Sequence, residues 1–158
     1  MARIQDLLDS ELIIEELQST DKAGVVREFA RLLARAGKVR DAGALERDIL
    51  EREAQGSTGI GDGIAIPHAR SREVPDMVIA FGRSTAGVDF QSIDGRPAHL
   101  FFLLVTPDDR PSDHLKTLAR ISRVMRGTGL RDELRRCVVR QEMQKIIIDE
   151  DSRYPNGR

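Results

Sequence analysis

A single cysteine, Cys137, occurs in 158 residues, so no disulfide framework holds this chain and its stability has to come from packing. Long apolar runs are missing too. The longest, Leu100 to Val105, falls far short of the roughly 20 residues that a membrane-spanning helix needs, which predicts a chain that does not cross a bilayer. Neither sign of charge is in excess: 25 Lys plus Arg against 26 Asp plus Glu leave a formal charge of -1. That balance provides no basic field for wrapping nucleic acid. The opening residues Met1-Ala2-Arg3-Ile4-Gln5-Asp6 include an acid in the first turn and lack an apolar signal core or a small-residue cleavage site. With no leader and a lone thiol, the expected compartment is the reducing cytoplasm.

Several signatures of chemistry are absent as well. There is no G-x-x-x-x-G-K-[ST], and the glycine-rich run Gly56 to Gly63 leads into an extended segment rather than a helix, so both nucleotide fingerprints fail on context. No H-x-x-x-H or C-x-x-C spacing offers a metal set, and no G-x-S-x-G marks a serine nucleophile. Neither a metal nor a cofactor is expected. No internal repeat of 20 to 50 residues suggests a solenoid.

What is present is globular. Hydrophobic residues make up 40% and charged residues 32%, and 158 residues fit one domain with a core of its own. Leu12-Ile13-Ile14 reads as a short strand, followed by the capping run Ser19-Thr20-Asp21. Val25, Val26, Phe29, Leu32 and Leu33 recur at helical spacing up to Gly37, and Asp41 opens a second helix with Ala42, Leu45 and Ile49 on its buried side. Strands are predicted for Ile64 to Ile66, ended by Pro67, and for Met77–Phe81 and Leu100–Val105. Between the last two, Ala86 to Phe90 reads as a short edge piece and Ile93-Asp94-Gly95 as a turn. After Pro111-Ser112-Asp113, with Ser112 as the cap, Leu115, Leu118, Ile121, Ser122 and Met125 trace a helix, and further helices cover Leu130–Arg136 and Gln141–Ile148. The expected architecture is α/β, one mixed β-sheet covered by α-helices, spanning residues 4–148 and followed by a polar, frayed tail over 149–158.

Each of the three histidines has an ordinary reading beside a functional one. His99 lies within an apolar strand and is assigned to the sheet. His68 follows Ile66-Pro67 at the mouth of a strand, beside the glycine-rich run and before Arg70 and Arg72, where mixed sheets expose working side chains. His114 falls in the first turn of a helix, where backbone N–H groups and the helix dipole attract anions; the alternative is a surface histidine. Arg52, three residues after Ile49, continues an apolar stripe and either snorkels at its rim or points into a site. The glycines either let an anion approach the backbone, with Ser57 and Thr58 donating hydroxyl bonds, or simply make turns.

The run Ser57-Thr58-Gly59-Ile60-Gly61-Asp62-Gly63-Ile64-Ala65-Ile66-Pro67-His68-Ala69-Arg70, with a second block His114-Leu115-Lys116-Thr117-Leu118-Ala119-Arg120-Ile121-Ser122, resembles the enzyme IIA domains of the fructose, mannitol and nitrogen-related bacterial phosphotransferase systems. The resemblance implies that His68 accepts a phosphoryl group from the phosphocarrier protein HPr, with His114 and Arg52 as its active-site partners. It also implies an onward partner, either a IIB component or a regulated protein. The chain carries no fused membrane domain and no IIB segment, and with its S-T-G-I-G run it is most similar to the nitrogen-related branch, whose members act mainly as regulators. Sugar uptake through a IIB cysteine and a non-phosphorylated binding module of the same fold are the alternatives.

Overall fold

The computed structural model describes residues 3–127 and 129–154. A short helix α1 (Ile4–Leu7) and a 3-10 turn lead into strand β1 (Ile13–Ile14), followed by helices α2 (Lys22–Arg35) and α3 (Ala42–Ala54). Then come strands β2 (Gly59–Gly61), β3 (Ile64–Ala65), β4 (His68–Ser71), β5 (Val78–Val88) and β6 (Ala98–Pro107), and helices α4 (Pro111–Met125), α5 (Leu130–Arg136) and α6 (Arg140–Asp151). The strands form one mixed sheet in the order β1-β5-β6-β3-β2, with β4 also paired to β6. The fold class is therefore the α/β arrangement expected.

Two apolar cores lie on opposite faces of this sheet, because successive side chains of a strand point to opposite sides. Phe101, Leu103 and Val105 of β6 join Val25, Phe29, Leu33, Leu45 and Ile49 from α2 and α3, whereas Leu100, Phe102 and Leu104 join Ile121, Val124, Met143 and Ile147 from α4 and α6. Asp21 and Asp41 cap α2 and α3 by accepting from Gly24 N at 2.7 Å and Ala44 N at 3.1 Å. Gly82 lets α2 sit against β5: a Cβ there would lie 2.9 Å from the Phe29 ring, too close to be accommodated.

Four expectations need correction. The glycine-rich run is a β-hairpin, with β2 and β3 joined by Asp62 (φ 57°) and Gly63 (φ 79°), the two left-handed residues that a tight hairpin turn requires. Ala86 to Val88 is no separate edge piece but the end of the long strand β5. Helix α4 is capped at Arg110, with Pro111 as its first residue, rather than at Ser112. Its buried face carries His114, Thr117, Arg120, Ile121 and Val124, and Leu115 is 67% exposed. Finally, α6 continues past Ile148 to Asp151, so 149–151 is helix rather than frayed tail; 155–158 lie outside the described residues. Asp151 is buried, paired with buried Arg120 (Nε to Oδ1, 2.5 Å), and accepts the Ile4 backbone N–H at 3.0 Å.

Among the described residues, no helix is long and apolar enough to cross a membrane.

Candidate active site

Residues 64–71 run parallel to β6 along one edge, first as β3 (Ile64 opposite Leu100) and then as β4 (His68 opposite Leu104). Pro67 interrupts the ladder because it has no N–H, yet its carbonyl still accepts from Leu104 N at 3.1 Å, so pairing resumes at once. His68 therefore opens a strand instead of sitting in a loop beyond one, and it is only 9% exposed. The alternation that buries Ile64 and Ile66 on the α4 side carries His68 to that side as well, where its ring centroid lies 5.5 Å from that of His114.

Both rings border an open cleft of about 740 Å³. Helix α3 contributes Asp48, Glu51 and Arg52 to its wall, β4 contributes His68 and Arg70, and α4 contributes His114 and Leu115. The three site residues expected from the sequence thus share one cleft. Arg52 reaches it from the last turn of α3, its guanidinium partly anchored by donation from Nη1 to the Gly56 carbonyl at 2.9 Å. Arg70, mentioned in the sequence only as a neighbour of His68, is an exposed cation on the same wall.

The histidine surroundings determine their protonation. His68 Nδ1 lies 2.6 Å from the Ile66 carbonyl oxygen, which can only accept, so Nδ1 carries the proton and Nε2 keeps its lone pair when the ring is neutral. Burial pushes the His68 pKa below the usual histidine value and the Arg52 charge adds to this, against opposing effects of the Ile66 bond and Glu53. His114 is lowered further, to about 4, by burial first and then by His68, Arg70 and Arg52. At neutral pH both rings are uncharged. His114 Nδ1 is 2.9 Å from the hydroxyl of Thr106, which is fully buried at the end of β6.

The glycine-rich hairpin lies outside this cleft. None of its residues lines the cleft, and its hydroxyls are already engaged: Ser57 donates to the Phe90 carbonyl at 2.5 Å and Thr58 to the Glu53 carboxylate. The hairpin instead supports the backbone that holds His68. Glu53, buried and paired with Lys22 at 2.9 Å, accepts the Thr58 N–H at 3.2 Å; the Thr58 carbonyl accepts Ile66 N at 3.0 Å; and Ile66 carries the carbonyl that binds His68. Reading the sequence missed Glu53, although its position four residues after Ile49 on the buried face of α3 was a usable signal. His99, as expected, serves the sheet, its Nδ1 2.9 Å from the Ser84 carbonyl oxygen. Among the described residues, no group of three His, Cys, Asp or Glu side chains is placed to hold a metal ion.

The profile of the family described as "Phosphoenolpyruvate-dependent sugar phosphotransferase system, EIIA 2" matches residues 6–150. The fructose-specific EIIABC component of Bacillus subtilis is 42% identical over 147 residues, which is 93% of this chain and only 22% of that longer protein. The nitrogen regulatory protein of Pseudomonas aeruginosa is 32% identical over 149 residues, 94% of this chain and 97% of that one. Among solved structures, the nitrogen regulatory protein IIA-Ntr of Neisseria meningitidis superposes with a TM-score of 0.85 at 28% identity, covering 91% of this chain and 98% of that one.

Proposed function

Because the chain belongs to the EIIA type 2 family of the phosphoenolpyruvate-dependent sugar phosphotransferase system, we propose that it carries a phosphoryl group on Nε2 of His68, received from the phosphohistidine of HPr. The observation that carries this reading is the bond from His68 Nδ1 to the Ile66 carbonyl at 2.6 Å. It leaves Nε2 as the ring's free lone pair, on a neutral imidazole bordering the cleft. In the transfer, Nε2 of His68 forms a bond to phosphorus as the donor's N–P bond breaks, and the departing electron pair returns to the donor nitrogen. The positive charge that develops on the His68 ring is stabilised through its Nδ1–H, whose bond to the Ile66 carbonyl strengthens as the donor becomes charged.

Phosphoryl transfer is mainly positioning and charge stabilisation, and the cleft supplies both. Arg52 and Arg70 bring positive charge to the phosphoryl oxygens, and His114 offers its ring N–H without carrying the group. The acids Asp48 and Glu51 on the same wall keep the cleft from being uniformly cationic, which favours release of the group over permanent retention.

The output of the cycle is a nitrogen-type regulatory switch, read by a partner that distinguishes the two states of His68. This reading is supported by the S-T-G-I-G run and by likeness to the Pseudomonas and Neisseria nitrogen regulatory proteins. A partner that binds both states equally is not shifted by phosphorylation, so differential affinity is required. The second reading, a IIA component of fructose-class uptake passing the group to a IIB cysteine, is favoured by the likeness to the Bacillus fructose component. Partner capture with the wild type, His68→Ala and His68→Asp separates them. State-dependent capture of a regulatory protein supports the switch, and rapid transfer to a IIB cysteine with no such partner supports uptake.

A further inference from the structure

We propose that Thr106 is a positioning residue that sets the tautomer of His114, making its Nε2 a hydrogen-bond donor to the cleft and leaving His68 as the only nucleophilic imidazole of the pair. The geometry stands on its own; its consequence for transfer rests on the phosphohistidine reading above.

The even-numbered residues of β6 face α4. Leu100, Phe102 and Leu104 fill the apolar core on that side, and Thr106 continues the row as a polar residue with no exposed surface. In register it lies opposite Arg70, one row beyond His68 and Leu104, beside the site. Its Oγ1 is 2.9 Å from His114 Nδ1, and among the described residues this is the only hydrogen bond its side chain makes.

That contact has two possible senses. If Nδ1–H donated to the hydroxyl oxygen, the hydroxyl's own proton would be buried with no acceptor, a situation native interiors avoid. If the hydroxyl donates to Nδ1, both groups are satisfied, and the proton of the neutral ring is on Nε2, the opposite edge. His68 has the reverse arrangement, because its Nδ1 meets a carbonyl that only accepts. Two histidines with ring centroids 5.5 Å apart are thus given different roles by what each Nδ1 touches. Nε2 of His68 presents a lone pair, and Nε2 of His114 presents an N–H suited to a phosphoryl oxygen. With its Nε2 protonated and its Nδ1 occupied, His114 has no free lone pair with which to attack phosphorus.

The direct test is nitrogen-15 NMR of the imidazoles in the intact, unphosphorylated chain near pH 7, which needs no phosphoryl donor and so fails or succeeds independently of the phosphohistidine reading. The wild type is expected to show a protonated Nε2 on His114 and a protonated Nδ1 on His68. Thr106→Val, nearly isosteric but without the hydroxyl, is expected to take the hydrogen bond from His114 Nδ1, moving that nitrogen's resonance downfield and relaxing the ring from nearly all Nε2–H to the mixed population of a free imidazole, and to slow phosphoryl transfer by roughly 10- to 100-fold, the scale known for losing an outer partner that orients a metal-bound histidine. Thr106→Ser is expected to restore both. A protonated Nδ1 on wild-type His114, or an unchanged His114 Nδ1 resonance in Thr106→Val, overturns the proposal. If the valine variant does not fold, the wild-type spectrum alone decides the matter.

Discussion

The carbonyl oxygen of Ile66 lies 2.6 Å from Nδ1 of His68, so a residue two positions earlier in the chain fixes which ring nitrogen faces the cleft. The position of that carbonyl is set in turn from outside the strand. Ile66 N–H is held by the Thr58 carbonyl of the hairpin, and Thr58 is held by Glu53 of α3, the helix that also supplies Arg52. His68 and Arg52 are therefore positioned by one connected set of bonds.

Arg52→Ala and His114→Ala are each expected to slow transfer from HPr, because losing one preorganised contact to developing charge typically costs about 2.7 to 4 kcal/mol of barrier, roughly 100- to 1000-fold. Circular dichroism and the denaturation midpoint identify any folding defect, and rapid-quench kinetics measure the rate. Wild-type rates in both variants would remove them from the site.

Acid stability follows from His114. Its value falls from the usual 6.5 to about 4 in the folded chain, so between those pH values the unfolded chain binds more protons. The stability conferred by the neutral ring is complete above about 6.5 and is lost as the pH falls towards about 4. Arg70 and Arg52, which face this ring, oppose its protonation throughout, His68 does so once it is itself charged, and the lowered value of His68 adds a slope of the same sign. Urea denaturation across this window is expected to show a shallower acid decline for His114→Gln than for the wild type. An identical decline would mean that His114 is not held neutral by the fold.

The pair between Arg120 and Asp151 ties α4 to the last turn of α6 and, through Ile4 N–H, to the start of the chain. Asp151→Ala leaves a buried guanidinium without its partner and is expected to cost about 3 to 5 kcal/mol. Asp149→Ala, on an exposed side chain of the same helix, is expected to stay within about 0.5 kcal/mol. Equal midpoints in urea for the two variants would show that the last turn of α6 is not part of the fold.

The elements that were legible in the sequence are those whose buried face is apolar. Phe29 and Leu33, or Ile49 after Leu45, announce their helices by spacing alone, and the run Leu100 to Val105 announces β6. What the spacing hides is burial of polar groups with private partners. His114, Thr117 and Arg120 occupy the inner face of α4 because Thr106, Met77 and Asp151 are there to receive them, and no periodicity of apolar residues reports that. For the same reason exposed Leu115 reads in the sequence as part of the apolar face, and 149–151 as a tail. His68, His114 and Arg52 are candidates on the mouth of a predicted strand, a helix start and an apolar stripe. Their common cleft depends on β4 resuming its pairing beyond Pro67, a long-range contact that local sequence does not encode.

The most direct measurement is the site of phosphorylation itself. The chain is incubated with enzyme I, HPr and phosphoenolpyruvate, its mass is measured, and phosphorus-31 and nitrogen-15 NMR identify the modified nitrogen. One acid-labile phosphoryl group on Nε2 of His68, and none on His68→Ala, is the expected result. A fully phosphorylated His68→Ala protein, or a group on His114, would contradict it.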